Sequence, residues 1–310
     1  MAKKKHIKKV IIQSVKVYST LALIAIIMYV SVCFVYYQTR EYKYVQGMFR
    51  IDNVIYVDSE PEVTFTPTEN EETLFQITKR AVLNSNVAKK YSFLNWQNVK
   101  DASLKCCPQN DDTIIAQYTK SENCVYLSKR DMSENIIIRV FMHELIHSAT
   151  IDGKVQGTLY EAIAEKLTYE LIDEFGLSTD MSTGYGLYIW QYEMYETIID
   201  KNIVEYIYNG ELEAIVNEYT ETAYFEYADS ALAYAYDEEN EKKRNRYLRI
   251  SQDVLVHFAE SYITKNYDST TAQEKLKQVE DMLLIKEKYF SKILNGENWA
   301  QIICLVKKHG

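Results

Sequence analysis

The sequence predicts an α+β fold, with a small sheet laid on a buried helix near mid-chain, a mainly helical C-terminal half and a single N-terminal transmembrane helix. Three observations carry this expectation. Residues 17–38 are largely apolar, and no charged side chain occurs from Val17 to Thr39. Two short runs between 98 and 128, DDTIIAQYT and NCVYLSK, are rich in β-branched and aromatic residues and separated by Lys120-Ser121-Glu122, as in a strand pair. From Asp131 onward, apolar residues recur at helical intervals almost to the end of the chain.

The first element is a basic tail, residues 1–16, followed by the apolar run. A helix rises 1.5 Å per residue, so residues 17–38 suffice to cross a hydrocarbon core of about 30 Å. Tyr18 at one end and Tyr36 and Tyr37 at the other suit the two membrane interfaces. Lysines ahead of the run place the N-terminus in the cytoplasm, so the sequence implies a single-pass protein of the cell membrane whose folded domain lies outside the cytosol. Pro61 and Pro67 sit in an acidic, polar stretch, and residues 39–67 read as a stalk or linker. The folded domain is expected over 68–310, divided into a core at 98–175 and a helical subdomain at 176–310.

Thr68 and Glu71 have capping-box spacing at the head of the apolar-periodic run LFQITKRAVL. Further helices are expected near 133–149, 158–175, 186–208, 211–236, 246–264 and 270–294. Tyrosine is abundant, with 27 residues. Tyr188, Tyr192, Tyr195 and Ile199 share one helical face, which reads as core packing. The net charge of -9 is unevenly spread, because the first fifty residues are basic and the rest strongly acidic. So acidic a domain is a poor match for a phosphate backbone, and nucleic acid is excluded as a partner. The five cysteines form no Cys-x-x-Cys; a disulfide joining Cys124 to Cys106 or Cys107 is open, but adjacent Cys106 and Cys107 cannot easily bridge each other. Nothing fixes an oligomeric state.

Chemistry concentrates in ENIIIRVFMHELIHSAT, a helix apolar on nearly every face and therefore buried. His143 and His147 emerge four residues apart on one face, where two imidazoles can meet one metal ion. Glu144 lies about 100° round the helix, beside the metal, as the general base of metal-assisted hydrolysis. A zinc site of this kind takes a third protein ligand. Histidine at the spacing HExxHxxGxxH is excluded, since Thr150 and Gly153 stand where that pattern needs Gly and His. The next helix, TLYEAIAEKLTYELIDEF, opens on Thr158 and Glu161 at capping-box spacing and carries Glu161 and Glu165 one turn apart. Glu161 is the candidate third ligand, and Glu165 the carboxylate that orients a ligand imidazole.

HELIH followed by YEAIAE is similar to the paired HExxH and NExxSD motifs of gluzincin metallopeptidases, in their thermolysin-like branch. The resemblance spans roughly residues 98–175 and implies a zincin-like core, a bound Zn2+ ion and hydrolysis of a peptide or protein substrate. Carried over by position, Glu161 binds zinc and Glu165 supports His143. Tyr160 stands where the motif has Asn and Glu165 where it has Asp, and the motifs lie closer together than in thermolysin-like enzymes, so the clan is implied rather than that family. Gluzincins commonly bind substrate along an edge strand, which puts residues 124–129 forward for that role. The acidic domain favours basic or neutral peptides. For the donor to the developing oxyanion, His257, Tyr160, Tyr185, Tyr188 and Tyr192 compete, and Tyr188 is the choice carried forward. The alternative function is a catalytically inactive zincin-like binding or sensor module that uses the tyrosine-rich helical half.

Overall fold

The structure, a computed structural model, describes residues 61, 63–108, 115–154, 157–177, 185–200, 202–220, 224–237 and 240–294. The chain divides into two units, 1–53 and 54–310, and all the described residues belong to the second. This unit is mostly helical, with one small three-stranded sheet, which corrects the α+β expectation. The physical reason is the shortness of the strands. Each spans four residues, so the sheet covers one end of a helical core instead of forming a layer of its own.

No helix among the described residues is long and apolar enough to cross a membrane. The segment 17–38 and most of the stalk at 39–67 lie outside the described residues. The structure therefore shows no single transmembrane helix, and the cell-membrane placement built on it is withdrawn.

Helix α1 (Glu69–Asn84) starts with the expected capping box: the Thr68 side chain accepts from Glu71 N–H, and the Glu71 carboxylate accepts from Thr68 N–H at 2.7 Å. Two short helices follow, α2 (Asn86–Lys90) and α3 (Trp96–Asp101). The sheet contains β1 (Ser103–Cys106), β2 (Ala116–Thr119) and β3 (Cys124–Leu127) in the order β1-β3-β2. Strand β1 runs parallel to β3 and β2 antiparallel to it. Strand β3 is thus central, so its stretch is not the edge that the sequence put forward. Beyond β1, Phe65 exchanges two backbone hydrogen bonds with Cys106, at 2.7 and 3.0 Å, so part of the acidic stalk pairs with the sheet. That leaves β2 as the edge with no strand beside it among the described residues. Val125 and Leu127 face the main core, while Cys124 and Tyr126 pack with Cys107 on the opposite face. Cys106, Cys107 and Cys124 are buried free thiols.

Helix α4 (Glu134–Thr150) carries HELIH and is followed by α5 (Thr158–Phe175), against which it packs closely. Phe141 of α4 meets Phe75 of α1 edge to face, with ring centroids 5.2 Å apart. Helix α6 (Gly186–Ile199) is buried on all sides, including the Tyr188, Tyr192, Tyr195 and Ile199 face. It ends at Asp200, whose φ of 57° turns the chain. What reads as one helix over 186–208 is therefore α6 and a short α7 (Ile203–Tyr208). Helices α8 (Glu211–Tyr219), α9 (Tyr224–Asp237), α10 (Glu241–Asn266) and α11 (Ser269–Leu294) complete the described unit, with α9 packed along α10 and α11 along α6.

Candidate metal centre

Helices α4 and α5 face each other through two rows of side chains at four-residue spacing. Arg139, His143 and His147 form the row on α4, and Glu161, Glu165 and Tyr169 form the row on α5. The rows mesh in opposite directions. The Glu161 carboxylate lies 3.3 Å from both His143 Nε2 and His147 Nε2, and these two nitrogens are 3.0 Å apart. Glu165 Oε2 lies 3.1 Å from His143 Nδ1, and its Oε1 accepts from Arg139 Nη2. The Arg139 guanidinium lies 5.3 Å from the centroid of the Tyr169 ring.

This geometry fits a divalent metal. Zinc–ligand bonds of about 2.0–2.1 Å in a tetrahedron separate neighbouring ligand atoms by about 3.3 Å. The ligating atoms of His143, His147 and Glu161 all lie within 4.8 Å of one another. With Nδ1–H given to Glu165, His143 in its neutral form would present the Nε2 lone pair to a second imidazole and a carboxylate. One proton can bridge only one of those contacts, whereas a shared cation satisfies all three donor atoms.

Charge leads to the same place. Burial disfavours the charged form of His143, but hydrogen bonds to Glu161 and Glu165 outweigh it and push its pKa up to about 10. Burial also opposes ionisation of Glu161, yet the two imidazoles hold it far below the ordinary carboxylate range. The carboxylates of Glu144, Glu161 and Glu165 all act on the His143 imidazole, and Arg139 pairs with one of them, Glu165.

Glu144 is buried beside the cluster without ligating it, and burial raises its pKa against the pull of the two imidazoles. The backbone N–H of Tyr118 donates to it, bringing the β2 edge to the acid. Asn123 fixes that edge. It closes the β2–β3 turn with a φ of 47°, and its Oδ1 accepts from Tyr118 Oη and Ser148 Oγ, both at 3.0 Å. Its Nδ2 donates to Asn98 O, so a single turn residue joins the sheet to α3 and α4.

Tyrosines flank both imidazoles. Tyr185 stacks on His143, with ring centroids 5.4 Å apart and planes 5° apart. Tyr160 lies 4.4 Å from His147 and donates its hydroxyl to His147 O. Tyr188 is buried, with its ring centroid 5.9 Å from that of Tyr185. Tyr192 is buried in the core near Glu196, and His257 is exposed on α10.

The capping box expected at Thr158 and Glu161 does not form, because the Glu161 carboxylate is committed to the imidazoles. The N-cap of α5 is Gly157, and the helix start is held instead by Asp229 of α9. Asp229 Oδ1 accepts from Thr158 N–H at 3.0 Å and from the Thr158 hydroxyl, whose oxygen also lies 2.7 Å from the Gln191 side-chain amide. Gly157 has a φ of 66°, and a Cβ there would fall 1.8 Å from Asp229 Oδ2.

Sequence reasoning missed Arg139, Asn123 and Asp229. Arg139 carried a signal, being one turn before His143 on the same face. Asp229 carried none, since it lies 71 residues from the helix start it caps.

No family model, curated protein or solved structure matches this chain. The functional reading therefore rests on the residues themselves.

Proposed function

We propose that this chain is a zinc-dependent metallopeptidase of gluzincin type, in which His143, His147 and Glu161 hold the ion and Glu144 is the general base. The convergence of two imidazole nitrogens and a carboxylate at 3.0–3.3 Å, beside a buried acid that is not a ligand, carries this reading. Zinc, when bound, supplies Lewis-acid polarisation of a carbonyl and lowers the pKa of water toward neutrality.

The protein's own groups do the rest. Glu144 takes a proton from the attacking water onto its carboxylate and delivers it to the leaving amine. Burial, by disfavouring its ionised form, makes it a better proton acceptor than an exposed carboxylate. Glu165 accepts from His143 Nδ1–H and so fixes the tautomer that presents Nε2 to the ion. Tyr185 and Tyr160 restrict the two rings by contact, and Tyr185, stacked on His143, joins Tyr188 as a candidate to reach a reacting carbonyl. An extended peptide adds to the outer edge of β2, antiparallel or parallel, because that edge has no strand beside it among the described residues and passes Glu144 at Tyr118.

The test uses the full chain. Bound metal is measured, and a peptide library is digested with wild type and Glu144→Gln. About one zinc per chain, with cleavage lost in the variant and zinc retained, supports the proposal. A chain that takes up no zinc sinks it, and zinc without cleavage leaves a binding module.

A further inference from the structure

Metal ligation uses His143, His147 and Glu161, and Glu165 orients His143. None of this accounts for Arg139, a guanidinium on a largely apolar helix with only 5% of its surface exposed. Burying a guanidinium is costly unless its donors are used. Only part of its fork is paired, because Nε has no hydrogen-bond partner. A core that needed no cation at this position would gain from an apolar residue of similar volume.

Its placement explains why it is there. Glu165 is nearly inaccessible, with 1% exposure, and its two oxygens face different partners. Oε1 is taken by Arg139 and Oε2 by His143 Nδ1. Both bonds lie within the meshed rows of α4 and α5, one turn apart. With Oε1 pinned, the carboxylate cannot rotate about its terminal torsion, and Oε2 stays aimed at His143. The Tyr169 ring, one turn beyond Glu165, has its centroid 5.3 Å from the guanidinium.

We infer that Arg139 is a positioning residue for the metal centre, acting through Glu165 to lock the His143 imidazole in its ligating orientation. This rests on the zinc-site reading above. It extends the support of the ion one residue further, to a side chain that touches neither metal nor substrate.

The experiment measures zinc affinity by chelator competition for the full chain as wild type, Arg139→Lys, Arg139→Met, Glu165→Gln and Arg139→Lys/Glu165→Gln, with the visible spectrum of each cobalt-substituted form. Outer partners of ligand histidines typically govern metal affinity by about 10–100-fold. Arg139→Met is expected to weaken zinc by that factor and to shift the cobalt bands. Arg139→Lys, which keeps the charge and one donor, is expected to recover part of the loss. On the Glu165→Gln background the Arg139→Lys change is expected to cost nothing further, because the group it acts through is already altered. Wild-type affinity and spectrum in Arg139→Lys and Arg139→Met overturn the inference, as do losses that multiply in the double variant. Should Arg139→Met fail to fold, the lysine variant and the cycle decide the matter. A wild-type chain that binds no zinc removes the metal-site reading itself, an outcome distinct from zinc binding that is indifferent to Arg139.

Discussion

The Tyr118 backbone N–H donates to the Glu144 carboxylate, so the outer strand of the sheet and the acid of HELIH are joined by the main chain. Tyr118 pairs with Val125 in the antiparallel register, and since its N–H turns outward to Glu144, this is a non-hydrogen-bonded pair. Alternation then turns the N–H of Ala116, two residues back, to the same outer edge. Ala116→Pro removes that outward donor at the first residue of an edge strand, where proline is tolerated. We expect KM for peptide to rise about tenfold, with kcat, zinc content and Tm little changed. An unchanged KM in steady-state kinetics would remove β2 as the substrate edge.

The Asp229 carboxyl gives the fold a pH dependence. Burial raises its pKa to about 6 despite the hydrogen bonds from Thr158, above an ordinary value near 4. A carboxyl whose folded pKa is raised contributes its full stability below the unfolded value and loses it as pH rises through the folded one. The loss therefore falls between about pH 4 and pH 6 and amounts to on the order of 3 kcal/mol. Asp229→Asn should flatten that part of the Tm-against-pH curve. Parallel curves for the two proteins would contradict the assignment.

Glu71 gives the opposite sign. A fork from Arg130, at 2.6 and 2.7 Å, holds its carboxyl down to about 2 against the opposing effect of burial. The stability this adds is present above the unfolded pKa of about 4.5 and disappears as pH falls toward 2. Arg130 is partly exposed, so solvent screening reduces the contribution to about 1–2 kcal/mol. Glu71→Gln should lower Tm at pH 7 and converge with wild type near pH 2, as read by denaturation across that range.

Gly157→Ala combines a strained left-handed φ with a clash against Asp229. A loss of about 2 kcal/mol or more in chemical denaturation is expected, together with weaker zinc binding, since the displaced helix start lies one turn before Glu161. Full wild-type stability in Gly157→Ala would mean that Asp229 does not hold the helix as described.

The candidate metal cluster was legible because a helix repeats every 3.6 residues, so His143 with His147 and Glu161 with Glu165 had to share faces wherever their helices lay. The same rule reached Arg139, which passed for an ordinary polar interruption because its partner stands on another helix. Strand β1 was not legible: SLKC is four residues long, and its parallel partner is eighteen or more residues downstream. Thr158 and Glu161 satisfied a local capping pattern, but the imidazoles compete for the same carboxylate and win. The break after Ile199 depends on Asp200 adopting a left-handed conformation, which local sequence permits without requiring.

Asp229 sets a limit on how far the site can be trimmed. A fragment ending after α5 would retain His143, Glu144, His147, Glu161 and Glu165, and yet lose the anion that anchors the helix bearing the last two. Transplanting this centre into another scaffold, or shortening the chain around it, would have to bring α9 along or furnish a substitute acceptor at the same helix start.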